Sequence, residues 1–252
     1  MDIKDLQRHW DEFGKTDPLW SILAWHKRDD PEQKWQLDEF FRLGAEEADA
    51  VVEYIKSLDV DPSWGRALDF GCGIGRVTQP LCRYYDEVYG VDIAPSMLKL
   101  AEEHNDYKGR CHYVLNERDD LTIFPDNNFD FIYSSIVLQH MEPQYAIAYL
   151  KEFMRTLRPN GLLIFQIPSR PNYRKPRRVV KALTPKFIFR AYRKTRDKVN
   201  KDEPRMEMHG IKSKKVVELL EANGAKILDV QRDNSAGEHW ISFKYCASKR
   251  PA

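Results

Sequence analysis

Arg66-Ala67-Leu68-Asp69-Phe70-Gly71-Cys72-Gly73-Ile74-Gly75-Arg76 is the stretch that decides the fold. Ala67 to Phe70 reads as a short buried strand that runs into a glycine-rich turn. A helix is expected to open at about Gly75, with Val77, Leu81 and Tyr84 on one face. Glycines at alternate positions let the backbone turn sharply and approach a ligand closely. A helix N-terminus behind such a turn offers unpaired N–H groups. The outline is that of a nucleotide or cofactor site.

The dinucleotide fingerprint needs glycine at its first, third and sixth positions, but the sixth position here is Arg76. The pattern present is Asp-x-Gly-x-Gly-x-Gly. A second strand, Glu87-Val88-Tyr89-Gly90-Val91-Asp92, also ends in an acid, where a carboxylate can accept both hydroxyls of a ribose. Phe129-Asp130-Phe131-Ile132-Tyr133-Ser134-Ser135 reads as a further strand, led off by Ile136-Val137-Leu138-Gln139-His140-Met141.

Together these segments resemble the class I S-adenosylmethionine-dependent methyltransferases, in particular the bacterial type-11-like methyltransferase domain. The resemblance covers roughly residues 59–168. It implies an α/β fold, a doubly wound, mostly parallel seven-stranded Rossmann-like sheet, and S-adenosyl-L-methionine as cofactor. It puts the methionine end of the donor near Asp69, Gly71, Gly73 and Gly75. The ribose would lie on Asp92, with Ile93 and Ile136 beside the donor. The adenine would meet an acid or amide after the third strand (Cys111–Leu115). Counting back from Leu121 favours Glu117, and counting from the strand end favours Asn116. Asp119 and Asp120 read as a solvated turn. His140 is the candidate catalytic residue, on the acceptor side or as general base, with His209 and His239 as weaker candidates. A lone histidine is also commonly structural.

The 252 residues suffice for one α/β domain with additions. No apolar run nears the ~20 residues needed to span a bilayer. The polar N-terminus does not read as a secretory signal, and the four scattered cysteines form no CxxC pair. A cytoplasmic location with free thiols is expected, and no metal site.

Residues 1–58 read as a helical cap. Trp10, Phe13, Trp20, Trp25, Trp35, Phe40 and Phe41 crowd its first 45 residues, broken at Asp17-Pro18. Such a face can pack on the main domain, or can close over a sulfonium as a lid through cation–π attraction. Glu46 to Leu58 reads as an amphipathic helix. Residues 59–252 read as the methyltransferase domain. It contains helices over Pro95–His104, Pro143–Leu157 and Ser213–Ala222, a turn at Arg158–Gly161, and an almost wholly apolar strand over Gly161–Ile167. Two late strands, Lys226–Val230 and His239–Cys246, complete it.

The basic insert 168–210 carries fourteen lysines and arginines against four acids, a net +10 in a chain of net +1. It reads either as a solvated helical cover or as a surface for an anionic partner: an acidic acceptor, peripheral contact with an anionic membrane face, or nucleic acid. The fourth strand is not followed by Asn/Asp-Pro-Pro-Tyr, the signature resembling amino-methylating enzymes of adenine or glutamine, and there is no Pro-Cys nucleophile, which argues against methylation at C5 of a pyrimidine. Methyl transfer to a hydroxyl of a small, sugar-like or lipid-linked acceptor is the leading expectation. An RNA methyltransferase using the insert and a non-catalytic S-adenosylmethionine-binding protein are the alternatives. The sequence does not speak to oligomeric state.

Overall fold

The computed structural model describes residues 1–23, 35–173 and 204–251. Trp25 and the insert's residues 174–203 lie outside the described residues. In chain order the elements are α1 (Ile3–Thr16), α2 (Pro18–Ile22), α3 (Leu37–Ser57), β1 (Arg66–Phe70), α4 (Thr78–Leu81), β2 (Glu87–Asp92), α5 (Pro95–Glu103), β3 (Cys111–Leu115), β4 (Phe129–Ser134), α6 (Pro143–Thr156), β5 (Leu157–Pro171), α7 (Ser213–Ala222), β6 (Ala225–Asp233) and β7 (Trp240–Lys249).

The strands form one seven-stranded sheet in the order β3-β2-β1-β4-β5-β7-β6. All neighbouring pairs are parallel except those made by β7, which runs antiparallel to β5 and β6. Period-two alternation assigns the helices to faces. Leu68, Ile132, Leu163 and Phe165 point to the side that holds Leu150 and Phe153 of α6 and Leu220 of α7. Ala67, Phe131, Leu162 and Ile164 point to the other side, against Val51, Val52 and Ile55 of α3. Burial on both faces explains the continuous apolar runs of β4 and β5.

Three local expectations change. The helix after the glycine turn is only four residues long. Helical bonding does begin there, since Gln79 N–H donates to the Gly75 carbonyl at 3.2 Å. Beyond Leu81 the bonding tightens, with Cys82, Arg83 and Tyr84 N–H donating three residues back to the Gln79, Pro80 and Leu81 carbonyls. α3 begins at Leu37, nine residues before the expected Glu46. The expected turn at Arg158–Gly161 is absorbed into β5. Leu157 pairs with Phe129, the register then shifts, and Asn160 takes up the irregularity at φ 63°.

Asp17 caps α2 by accepting from Trp20 N–H at 3.2 Å, so Asp17-Pro18 is a cap followed by an N1 proline. α5 has no side-chain cap of its own. Its Ser96 N–H donates to Asp11 Oδ1 of α1 at 2.9 Å, and Ser96 Oγ donates to the Asp11 carbonyl at 2.7 Å. All four cysteines are free and buried.

Candidate functional site

A cavity opens just beyond the C-terminal ends of β1, β2, β3 and β4, where the strand order reverses between β1 and β4. Open α/β sheets bind ligands at such a switch point. The cavity encloses about 990 Å³ of atom-free space, its open mouth included. Asp69, Gly71, Gly73, Asp92, Ile93, Asn116, Ile136 and His140 all line it. Ile3, Leu6 and Trp10 of α1 and Ile22 of α2 supply an apolar wall.

The glycine turn is held by backbone. Gly71 and Cys72 N–H both donate to the Val91 carbonyl, at 2.7 and 3.1 Å. Gly71 sits at φ 77° and Gly73 at φ 54°, in the left-handed region. A Cβ on Gly71 would lie 2.3 Å from Val137 Cγ2, and one on Gly73 would lie 2.7 Å from Ile22 Cδ1. Both positions are cradles that a side chain would fill. Gly75 differs from its expected place. It does not line the cavity, because its Cα faces Tyr113, whose hydroxyl would meet a Cβ there at 2.0 Å.

Asp92 Oδ2 accepts Gly73 N–H at 2.8 Å and Oδ1 accepts Ala94 N–H at 2.9 Å, so one carboxylate fixes the turn and the start of the next segment. Desolvation at the cavity floor pushes its pKa up, opposed by those N–H groups. Asp69 accepts Thr78 Oγ1–H at 2.7 Å, and burial raises its pKa to about 7. After β3 the cavity takes Asn116. Glu117 points away as an exposed side chain that accepts from Gln7 Nε2 at 2.6 Å. Asn116 Nδ2 donates to the Asp120 carbonyl at 2.8 Å.

His140 is 7% exposed, with its ring edge on Trp10 at 5.2 Å between centroids. Nδ1 lies 2.9 Å from the Glu207 carbonyl and Nε2 lies 3.1 Å from Gln139 Nε2. Burial lowers its pKa to about 4, so the ring is neutral near pH 7. A neutral ring with both nitrogens engaged is not a free base. His209 is half-buried beside Glu207, and His239 is exposed; neither lines the cavity. Of the cap's aromatics among the described residues, only Trp10 reaches the cavity. Phe13, Trp35 and Phe40 pack instead with Ile74, Ala94 and Met97.

The sequence reading missed Glu47, Arg76 and Tyr133, which also line the cavity. Glu47 accepts from Arg76 Nη2 at 2.6 Å and from Tyr133 Oη at 2.7 Å. Arg76 is 6% exposed, and its guanidinium lies over the Phe40 ring at 5.7 Å. Glu47 had a signal in the sequence: it interrupts the apolar stripe Phe40, Gly44, Val51, Ile55 of α3. With Glu47, Asp69 and Asp92 against Arg76, the lining carries an excess of carboxyl groups and suits a cationic ligand. No group of residues able to hold a metal ion occurs among the described residues.

The glycine cradles, the carboxyl-rich lining and the apolar wall fit S-adenosylmethionine, whose sulfonium and ammonium are cationic. Residues 68–165 match the family model for a methyltransferase domain. A malonyl-[acyl-carrier protein] O-methyltransferase of Halorhodospira halophila is 33% identical over 132 residues, covering 52% of this chain and 43% of that protein. A phosphoethanolamine N-methyltransferase of Triticum aestivum is 33% identical over 127 residues, covering 48% of this chain and 24% of that protein. The chain thus spans less than half the length of these relatives. Among solved structures, the magnesium protoporphyrin IX methyltransferase of Synechocystis PCC 6803 with bound SAH superposes with a TM-score of 0.61 at 18% identity, covering 97% of this chain and 99% of that one. The last likeness establishes the fold.

Proposed function

The chain carries a class I S-adenosylmethionine-dependent methyltransferase domain, and from that premise we propose that it transfers a methyl group to an oxygen of a small, sugar-like or lipid-linked acceptor. The observation that carries the proposal is a single cavity with two chemically distinct ends: the carboxyl-rich glycine turn, and an apolar wall around Trp10 and His140. S-adenosylmethionine supplies an already activated methyl group, which leaves the protein mainly the task of positioning. Asp92 would accept the ribose hydroxyls, and Asn116 would face the adenine. Asp69 and the Gly71–Gly73 turn would take the amino-acid end. α1, with Ile3, Leu6 and Trp10, would act as a lid that keeps water from the acceptor. His140 would orient the acceptor through its ring.

The oxygen acceptor draws support from the O-methyltransferase among the relatives. The basic insert supports an anionic acceptor or an anionic membrane face. No described helix is long and apolar enough to cross a membrane.

Calorimetry with S-adenosylmethionine and a turnover screen over carboxylates, phenols, sugars, lipid-linked glycans, amines and RNA test the proposal. Donor binding with turnover only on amines would overturn the oxygen acceptor, and turnover only on RNA would overturn the small, sugar-like or lipid-linked class. Donor binding without turnover on any of these would favour a binding protein. Changing Arg174, Lys175, Arg177 and Arg178 together to Ser should raise KM for an anionic acceptor several-fold at low salt. The effect should fade as screening shortens to about 8–10 Å.

A further inference from the structure

Behind the His140 wall runs a buried file of polar groups whose hydrogens point in one direction. It begins at Ile136, which lines the cavity at φ 55°. That left-handed conformation is costly for a β-branched residue and persists only where its surroundings enforce it. Ile136 N–H donates to Gln166 Oε1 at 3.1 Å. A backbone N–H can only donate, so the Gln166 oxygen must face it and the Gln166 nitrogen must face the other way. Gln166 Nε2 donates to Ser242 Oγ at 2.5 Å and to Gln139 Oε1 at 3.3 Å. Gln139 therefore turns its own Nε2 to His140 Nε2, at 3.1 Å. That nitrogen must accept, so it bears no proton. The ring proton sits on Nδ1 and is donated to the Glu207 carbonyl, a group that can only accept. The two ends of the file are backbone groups of fixed polarity, and they agree. Gln139, His140, Gln166 and Ser242 are all buried.

We propose that Gln166 is a positioning residue for the acceptor side: through Gln139 it locks His140 in the neutral, Nδ1-protonated form, and through the Ile136 N–H it holds the strained backbone that sets Val137 against Gly71. The proposal rests on the methyltransferase reading for its consequence in turnover, but the lock itself does not depend on activity. His140 then presents a ring of fixed orientation to the acceptor, and its basic lone pair is already engaged by Gln139.

The test is long-range proton–nitrogen correlation NMR of the His140 ring in the full chain, together with kinetics on whichever acceptor turns over. Wild-type protein should show a protonated Nδ1 and an unprotonated Nε2. In Gln166→Glu the carboxylate still accepts from Ile136 N–H but cannot donate to Gln139. The Gln139 amide should then reverse and present its oxygen to His140 Nε2. A proton should appear on Nε2, kcat/KM for the acceptor should fall at least tenfold, and donor Kd should stay within twofold. Gln166→Leu should free the Gln139 amide to turn and should lose the Ile136 restraint; if it fails to fold, Gln166→Glu and the wild-type spectrum still decide. A proton on Nε2 in the wild type would overturn the proposal. So would a Gln166→Glu variant with unchanged tautomer and unchanged acceptor kinetics. The predicted tautomers in a protein that turns over no acceptor would sustain the lock and defeat the methyltransferase reading instead.

Discussion

Between Asp69 and Asp92 the cavity wall is held in place by backbone, whereas between Ile136 and His140 it is held from behind by side-chain amides. The first wall uses two strand ends, positive-φ glycines and two carboxylates that collect N–H and hydroxyl hydrogens over 24 residues. The second gathers Gln139, Gln166, Glu207 and Ser242 from four parts of the chain, up to 76 residues apart in a single hydrogen bond. A backbone wall tolerates almost any side chain that stays out of its way but no added Cβ. A side-chain wall tolerates backbone adjustment but depends on the donor or acceptor identity of each amide. The two walls should therefore fail in different ways.

The largest failure is expected at Gly71. Gly71→Ala combines a left-handed penalty of about 1–2 kcal/mol with a clash of about 1–3 kcal/mol against Val137. Urea unfolding should show a loss of about 2–5 kcal/mol, and calorimetry should show donor affinity down by a hundredfold or more. Near-normal donor binding would mean that the wall is not backbone-built. Asp92→Ala comes next. Removing a charged acceptor should weaken the donor by about 1.5–3 kcal/mol, read by the same calorimetry.

Asp69 and His140 sharpen the comparison through pH. Asp69 is held at about 7, above its ordinary 3.8, by burial. Between those values the folded protein keeps a proton that the unfolded chain has released, so its contribution to stability falls as pH rises and is at its least above about 7. Asp69→Asn should be more stable than wild type at pH 8 and closer to it at pH 4.5. A bound cation favours the ionised carboxylate. Wild-type donor affinity should thus rise through pH 7, while Asp69→Asn binds several-fold more weakly and without that rise. His140 has the opposite slope. Its pKa is held near 4, below its ordinary 6.5, so the folded state refuses a proton that the unfolded chain takes up. Stability should fall as pH drops from 6.5 to 4. His140→Phe should flatten that decline, leave donor affinity within twofold and lower acceptor turnover about tenfold. This is the smallest of the four effects on binding. Equal pH dependence of unfolding in the two proteins would place the His140 ring in contact with water.

The same contrast explains what could be read from the sequence. The seven-stranded sheet and the glycine turn were legible because each is written in consecutive residues: short apolar runs in the strands, small residues where the backbone must turn, acids where strands end. Gly75 and Glu117 were the exceptions on that side. Which glycine faces the cavity and which faces Tyr113 depends on a neighbouring strand, and whether residue 116 or 117 turns inward depends on where β3 stops. The amide file left one trace, Gln166 in an otherwise apolar strand, and Glu47 left another in the apolar stripe of α3. Both marked a need for a buried partner. Neither could name it, because the partners come from elements whose adjacency only the folded sheet creates.

Asp11 gives the cap a second meaning. The first turn of α5, three residues after Asp92, is completed by an oxygen that belongs to α1. To swing away, α1 would have to leave the Ser96 N–H without its acceptor, a loss on the scale of a missing helix cap, about 1 kcal/mol. On the proposed reading, doorway and ribose shelf would be two faces of one equilibrium. Linkage then requires reciprocity: a donor that steadies the Asp92–Ala94 segment must slow the cutting of α1 by a protease, and a mutation that loosens α1 must be felt as weaker donor binding at a distance.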